Sequence, residues 1–220
     1  MTTSQALKDR LKAAGEGIPE PLRVRLHRAI SWLKRAEQEA GDQDARFIFL
    51  WIAFNAAYAH ELGLEQTQRD LLRAFLKKLV AADAARTLHK VVFEQYTGPV
   101  RLLIDNKYVF EPFWRALRER DASNEWGERF YRDKRAALKA VTGGETVTVL
   151  GVIFDRLYVL RNQLVHGGAT WNGKVNRQQV QDGANLLGTL LPAILALMLE
   201  HPELDYGDIS YPVIESAGAV

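Results

Sequence analysis

The sequence of 220 residues contains no cysteine. This absence excludes disulfide bonds, thiolate metal ligands and cysteine nucleophiles. The histidines are scattered and lack the H-x3-H or HExxH spacing of a zinc site; they are His27, His60, His89, His166 and His201. Phosphate-binding glycine motifs and the G-x-S-x-G motif of hydrolases are also absent. We therefore expect neither a metal site nor a cofactor.

The chain also lacks a long hydrophobic run. Its most apolar stretch, residues 184–199, is shorter than the roughly 20 residues that a helix needs to cross a bilayer, and it contains Pro192. The N-terminal residues are polar and charged, without the apolar core of a secretion signal. We therefore expect a cytoplasmic protein that does not use a membrane, with residues 184–199 in a buried helix.

No large surplus of charge of one sign is present, because the formal net charge is +2. The charges are nevertheless uneven, since residues 8–35 contain eight Lys or Arg against Asp9, Glu16 and Glu20. Such a stretch permits contact with a nucleic acid, but it is also typical of a solvated helix face.

What the chain does contain is apolar residues at helical spacing along most of its length, which predicts an all-α protein. We expect a single domain over residues 1–220, long enough for a core with a sizeable insertion, and a partly mobile tail at 203–220. The predicted helices span residues 4–14, 22–40, 45–62, 66–80, 84–96, 100–105, 111–120, 126–141, 147–166 and 178–200.

The helix predicted at 45–62 is apolar on nearly all sides, which is typical of the centre of a bundle or of a dimer interface. Its polar exceptions are Asn55, Tyr58 and His60. Because buried amides and hydroxyls must be hydrogen-bonded, Asn55 and Tyr58 either tie neighbouring helices together or orient a site at the end of an adjacent helix. Asp42 or Asp44 is positioned to cap this helix.

The most informative stretch is residues 147–168, VTVLGVIFDRLYVLRNQLVHGG, where an apolar helix leads into a polar end. Arg161 lies on the apolar stripe, where a guanidinium requires a carboxylate or a phosphate as partner. In an unbroken helix, His166 would lie roughly 140° around the axis from Arg161. Because Gly167 and Gly168 follow at once, we expect the last turn to unwind and His166 to turn towards Arg161.

An interpretation without a functional site accounts for the same residues. A histidine in the last turn of a helix interacts favourably with the helix dipole, and a following glycine is ordinary capping. Arg161 would then pair with a carboxylate of the core. Asp155, on the same helix, lies off the Arg161 face and is a poor candidate for that partner.

The run from Arg161 through Asn162 to His166 resembles the R-x4-6-H motif of the HEPN superfamily, in which a small polar residue commonly follows the arginine. The upstream run FIFLWIAFNAAYAHE, residues 47–61, is similar to the helix that precedes the motif helix in many HEPN proteins. One branch of the family, the toxins paired with nucleotidyltransferase antitoxins, often carries a tyrosine two residues after the histidine. Gly168 stands at that position here.

The resemblance implies a HEPN-like antiparallel helical bundle with an additional helical insertion at 84–142. It also implies a metal-independent endoribonuclease whose site forms where two subunits meet. Arg161, Asn162 and His166 would be the catalytic residues, and the helices at 47–62 and 147–166 would form the homodimer. Imidazole titrates close to neutral pH and can take the proton of a ribose 2′-hydroxyl, while arginine stabilises the charge on the phosphoryl oxygens. The products would be 2′,3′-cyclic phosphate and 5′-hydroxyl ends of single-stranded RNA.

Further residues are candidates for substrate binding. Trp171, Lys174 and Arg177 lie in the loop after His166, close enough in sequence to flank a site there. Asn55 and Tyr58 are the candidates on the upstream helix. The expected partners are RNA, a second copy of the chain, and an antitoxin or other protein if the chain belongs to a toxin or defence system.

Two alternatives to a nuclease remain open. In the first, the chain is a non-catalytic HEPN-like module in which Arg161 and His166 stabilise a dimer or bind a nucleotide or RNA. In the second, it is an antitoxin or immunity-type binding protein without a site of its own. Cleavage of single-stranded RNA in excess EDTA, lost in Arg161→Ala and His166→Ala, separates the nuclease from the first alternative.

Overall fold

The computed structural model describes residues 2–58, 68–174, 176–209 and 211–212. Over these ranges it is helical and contains no β-strand, so the predicted all-α class is confirmed. The helices are α1 (Ser4–Ala14), α2 (Glu20–Glu37), α3 (Gln43–Tyr58), α4 (Gln68–Ala82), α5 (Thr87–Lys90), α6 (Thr97–Asp105), α7 (Glu111–Glu119), α8 (Glu125–Thr142), α9 (Thr146–Val165) and α10 (Arg177–Glu200). His60 lies outside the described residues.

Helix α3 is the centre of the bundle, as its apolar sequence predicts. It packs between α2 and α10, and it meets α9 through a stack of Phe54 on Phe154 with ring centroids 4.2 Å apart. Both rings are fully buried. Burying a side chain of this size stabilises the fold by about 1.5–3 kcal/mol. The stack therefore fixes α9, the motif helix, against the centre of the core.

Glycines in α10 allow this helix to come close to its neighbours. A Cβ atom on Gly183 would lie 3.0 Å from Leu157 Cδ2, 3.2 Å from Phe47 Cε2 and 3.3 Å from Leu160 Cδ2. The absent side chain therefore lets α10 pack closely on both α3 and α9. Helix α10 is long and apolar enough to cross a membrane, and 61% of its most apolar 18-residue stretch is buried inside the bundle.

The segment predicted as an insertion, residues 84–142, contributes to the same core as the rest of the chain. Leu88, Val92 and Ile104 are buried in the main cluster of apolar side chains. The helix predicted at 84–96 is present but starts too early in the prediction, because α5 begins only at Thr87; it continues as a π-helix over Val91–Gln95. The start is set by the Asp83 carboxylate, which accepts hydrogen bonds from the backbone N–H groups of Thr87 at 2.8 Å and Leu88 at 2.7 Å.

The described part of the C-terminal tail packs on the bundle. Tyr206 is buried, and the buried guanidinium of Arg25 donates to the carbonyls of Gly207 and Asp208 at 3.1 Å each. These contacts anchor a region that the sequence predicts to be partly mobile. They form because a buried guanidinium must donate hydrogen bonds to protein groups, and the carbonyl groups of a non-helical segment can accept them. Residues 210 and 213–220 of the predicted tail lie outside the described ranges.

Candidate functional site

Two glycines close helix α9 directly after the motif. The N–H of Gly168 donates to the carbonyl of Gln163 at 2.7 Å, and the N–H of Gly167 donates to that of Leu164 at 3.3 Å. Gly167 adopts a φ of 68°, in the left-handed region that glycine occupies without strain. This pattern is a Schellman motif, and the predicted glycine cap is confirmed.

The cap acts after His166, so the expected unwinding of the last turn is wrong. The N–H of His166 still donates to the carbonyl of Asn162 at 3.0 Å, the helical hydrogen bond. His166 therefore stays on the helical path, roughly 140° around the axis from Arg161. Within the ranges that the structure describes, no hydrogen bond joins the two side chains of one chain.

Both motif residues nevertheless border one exposed arc of α9. At about 100° per residue, Val165, Tyr158 and Asn162 lie roughly 40°, 60° and 100° around the axis from Arg161, between it and His166. Val165 is 49% exposed and Tyr158 is 44% exposed. His166 is exposed, whereas Arg161 and Asn162 are half-buried. We call these five residues the α9 end surface.

Arg161 forms a hydrogen bond with an amide and no ion pair with any described carboxylate. Its Nη1 donates to Oδ1 of Asn162 at 2.9 Å, and no described carboxylate forms an ion pair with it. Asp155, on the same helix, accepts instead from Nε of Arg69 at 2.8 Å. A half-buried guanidinium without a fixed anion is a site at which a phosphate or a carboxylate from another molecule is favoured.

Tyr58 lies within electrostatic reach of Arg161. Burial raises the pKa of Tyr58, Tyr158 raises it further, and the positive charge of Arg161 opposes both effects. Asn55, one turn earlier on α3, is half-buried. The ring of Tyr158 lies 6.1 Å from that of Trp51, so α3 and α9 also meet through aromatic contact beside the α9 end surface.

The loop after the motif is tied to the other end of α3. Nε1 of Trp171 donates to Oδ2 of Asp42 at 2.8 Å, while Oδ1 of Asp42 caps α3 by accepting from the N–H of Ala45 at 3.0 Å. The backbone N–H of Asn172 donates to Oδ2 of Asp44 at 2.9 Å. The loop from Gly167 to α10 is therefore held against the start of α3, although the ring of Trp171 is 73% exposed.

Arg177 also holds this loop against the start of α3. Its Nη2 pairs with Oδ2 of Asp44 at 2.7 Å, and its Nε donates to the carbonyl of Gly173 at 3.1 Å. Asp44 is buried, and its Oδ1 has no hydrogen-bond partner among the described residues. Arg177 is thus occupied in holding the loop. Lys174 is exposed, and it forms no ion pair with any carboxylate in the part of the chain that the structure describes.

The predicted binding residues therefore form two groups rather than one. Asn55 and Tyr58 belong to the last turns of α3, whereas Trp171 and Arg177 contact its start. The two groups therefore lie at opposite ends of α3, a helix of 16 residues. Sequence patterns predicted a single group of binding residues, because they contain no information on the relative direction of α3 and α9.

Gln163 is a residue that the sequence did not identify. Its Nε2 donates to the carbonyl of Tyr108 at 2.6 Å, and its Oε1 accepts from Nδ2 of Asn176 at 2.8 Å. The amide thus fixes the end of α9 to the 3₁₀ turn Lys107–Val109 and to the residue before α10. A glutamine within the motif was the only local signal, and it does not specify partners so distant in sequence.

The most buried arginine of α9 is Arg156, not Arg161. Its guanidinium lies over the ring of Phe110, 4.5 Å from the centroid, and donates to the carbonyl of Val109 at 3.4 Å. Burial lowers the pKa of Arg156 to about 10. This arginine fastens the segment around Phe110 to α9, which is a structural role.

Among the described residues, no group of three or more His, Asp or Glu side chains is arranged to hold a metal ion. No protein-family model, curated protein or solved structure matches this chain. The α9 end surface is therefore the feature of this chain from which a function can be inferred.

Proposed function

We propose that the chain is a homodimeric, metal-independent endoribonuclease of the HEPN type that cleaves single-stranded RNA, as part of a toxin or defence system. Arg161, Asn162 and His166 are its catalytic residues. The observation that carries the proposal is the half-buried Arg161, which has no carboxylate partner among the described residues and borders the same exposed arc as His166. A phosphate diester supplies the missing anion.

A two-fold axis through the α9 end surface would bring the separated motif residues together. When this axis runs along α9, residues on one side of the arc in one subunit face residues on the other side of the arc in the partner. Arg161 of each chain then meets His166 of the other, which their separation of roughly 140° prevents within one chain. The resulting site lies on the axis and contains two guanidiniums and two imidazoles.

Apolar side chains around the arc support an interface at this place. Val165 and Tyr158 are exposed in the monomer, and Ile48 and Ile52 on α3 are half-buried. Covering exposed side chains of this kind contributes about 25 cal/mol for each Å² of apolar area removed from water. The helices that the sequence predicts for dimerisation, α3 and α9, are those that present these residues.

The reaction needs only groups that the two chains supply. One imidazole takes the proton of the ribose 2′-hydroxyl, the 2′-oxygen attacks the adjacent phosphorus, and the bond from phosphorus to the 5′-oxygen breaks. The second imidazole, in its protonated form, gives a proton to the leaving 5′-oxygen. Arg161 stabilises the charge on the non-bridging oxygens through paired hydrogen bonds, and Asn162 holds the guanidinium in place, as in its 2.9 Å contact.

A second candidate is a non-catalytic HEPN-like module that dimerises or binds a nucleotide or RNA. The observation that favours it is the position of His166 on the far side of the arc from Arg161 in a single chain. In that case the arginine binds phosphate without an imidazole beside the ribose. Both candidates predict phosphate binding, and only the first predicts cleavage.

Cleavage of labelled single-stranded RNA in excess EDTA tests the proposal. We expect wild-type protein to produce 2′,3′-cyclic phosphate ends, Arg161→Ala to lose about 10²–10³-fold in rate, and Arg161→Lys to recover little of it, because an ammonium cannot form the paired hydrogen bonds. Lys90→Gln is the matched control, since it removes an exposed positive charge on α5, outside the α9 end surface and the loop that follows it. Equal cleavage by wild type, Arg161→Ala and His166→Ala would contradict the proposal.

A further inference from the structure

A cationic groove lies between α1 and α2, away from the α9 end surface. Its volume is about 650 Å³, and none of the residues that line it belongs to α9 or to the following loop. The walls carry four permanent cations and one carboxylate; the charged residues are Lys8, Lys12, Arg23, Arg28 and Glu16. We call it the α1–α2 groove.

The positive charge of this groove is not neutralised by the protein. Among the described residues, Lys8, Lys12 and Arg23 form no ion pair with a carboxylate. Four cations and one carboxylate leave the lining with a formal charge of +3, whereas the whole chain carries +2. Charge of one sign in a concave site attracts counter-charged ligands more strongly than the same charge on a convex surface.

The cations form two rows along the groove. Lys8 and Lys12 are one helical turn apart on α1, and Arg23 and Arg28 lie on the facing α2. Side chains at this spacing project from points about 6 Å apart on the same helix face. Repeated positive charges on two facing walls match a ligand with repeated negative charges better than a single small anion.

The floor and the frame of the groove are fixed. Leu11 is buried and Val24 is half-buried, so the floor is apolar between the cationic walls. The N–H of Ser4 donates to Glu37 at 2.8 Å, which joins the start of α1 to the end of α2. Nη1 of Arg28 donates to the carbonyl of Tyr211 at 2.7 Å, which fixes the direction of that guanidinium.

We propose that the α1–α2 groove binds the sugar–phosphate backbone of single-stranded RNA at a site separate from the α9 end surface. Lys8, Lys12 and Arg23 contact successive phosphates, and a base or ribose covers the apolar floor. The choice of RNA as the polyanion rests on the proposed function. A concave groove of about 650 Å³ suits a single strand rather than a duplex or a membrane surface.

Fluorescence anisotropy with a labelled 2′-O-methyl oligonucleotide measures this binding without cleavage. The test protein is His166→Ala, with and without Lys8→Gln, Lys12→Gln and Arg23→Gln together. The matched control carries Lys77→Gln, Lys90→Gln and Lys139→Gln, which remove three exposed lysines outside the groove. Both triple variants change the net charge equally.

We expect the groove variant to bind about tenfold more weakly near 0.1 M salt, and its slope of log K against log salt to decrease by roughly 2, since each lost phosphate contact removes about 0.7 for a single strand. The control should stay within about twofold, with an unchanged slope. Equal weakening in both variants, or no weakening in either, would overturn the proposal. So would equally tight, groove-dependent binding of polyglutamate or of vesicles containing phosphatidylserine.

The two proposals fail in different ways. If wild type cleaves RNA while the groove variant binds the oligonucleotide normally, the groove proposal alone is wrong. If the groove variant loses binding while wild type never cleaves RNA, the nuclease proposal alone is wrong. Circular dichroism melting of each variant verifies the fold, which we expect to be retained because all the substituted lysines and Arg23 are exposed.

Discussion

Arg177 donates to the buried carboxylate of Asp44 at 2.7 Å, and this ion pair joins the start of α10 to the start of α3. The same carboxylate oxygen also accepts from the backbone of Asn172. The loop that follows the motif is therefore held by an interaction between residues far apart in sequence. Its strength can be measured directly.

We predict that Asp44→Asn lowers the free energy of unfolding by about 2 kcal/mol, because it leaves the Arg177 guanidinium without its counter-charge. Urea unfolding of Asp44→Asn, Arg177→Gln and the double variant gives the coupling energy of the pair. We expect the double variant to lose less stability than the sum of the single losses. Additive losses would mean that the ion pair contributes nothing.

The neighbouring carboxylate gives a prediction for pH. The backbone N–H of Ala45 lowers the pKa of Asp42 below its ordinary value of 3.8, with a further contribution from Trp171. Since the folded form binds the proton less readily than the unfolded chain, Asp42 contributes stability that is present above pH 3.8 and lost as the pH falls through its folded pKa.

We therefore expect Asp42→Asn to lose less stability than wild type between pH 6 and about pH 3, because an asparagine still caps the helix and does not titrate. Chemical unfolding at a series of pH values measures the difference. Trp171→Phe should also reduce the dependence of the free energy of unfolding on pH, to a smaller extent. Parallel pH curves for wild type and Asp42→Asn would contradict the assignment.

Two glycines of α10 allow a matched comparison of packing. Gly183→Ala should cost about 1–3 kcal/mol, because the new methyl group meets the packed side chains of Leu157 and Phe47. Gly188→Ala should be neutral or stabilise the protein by up to about 1 kcal/mol, since its methyl group meets only the movable end of Arg46 at close range and alanine favours the helix. Thermal unfolding distinguishes the two, and the reverse order would contradict the packing described.

The helices were largely predictable because their signals are local. Apolar spacing and glycine stops gave α1 its bounds, and the glycines after His166 form the predicted cap. The helix predicted at 84–96 failed at Arg86, the N-cap residue of α5, which has a left-handed φ of 55°. Nothing in the apolar pattern indicates that turn, because a side-chain cap and not burial determines it.

The site was predictable only in part. The sequence located Arg161 and His166 at a capped helix end, but it wrongly expected the cap to rotate His166 towards Arg161. The cap hydrogen bonds begin after His166, so its backbone keeps the helical path. The partners of Gln163 and Arg177 lie in other elements, and periodicity along one helix does not specify contacts between helices.

The proposed dimer is tested by a charge placed on the α9 end surface. We predict that Val165→Glu converts the dimer to a monomer at micromolar concentration and abolishes cleavage, because a carboxylate would be buried beside its own copy. Leu117→Glu on α7 is the matched control, since Leu117 is also an exposed apolar residue, at 61% against 49% for Val165. Light scattering measures the mass, and a wild-type monomer would contradict the account.

The most direct test of the composite site is to mix wild-type chains with His166→Ala chains, exchange the subunits to equilibrium, and follow RNA cleavage in EDTA against the wild-type fraction. If each site needs His166 from both chains, activity falls with the square of that fraction, to about one quarter at equal mixing. A linear fall to about one half would show that each chain acts alone, and no EDTA-resistant cleavage by wild type would contradict the nuclease itself.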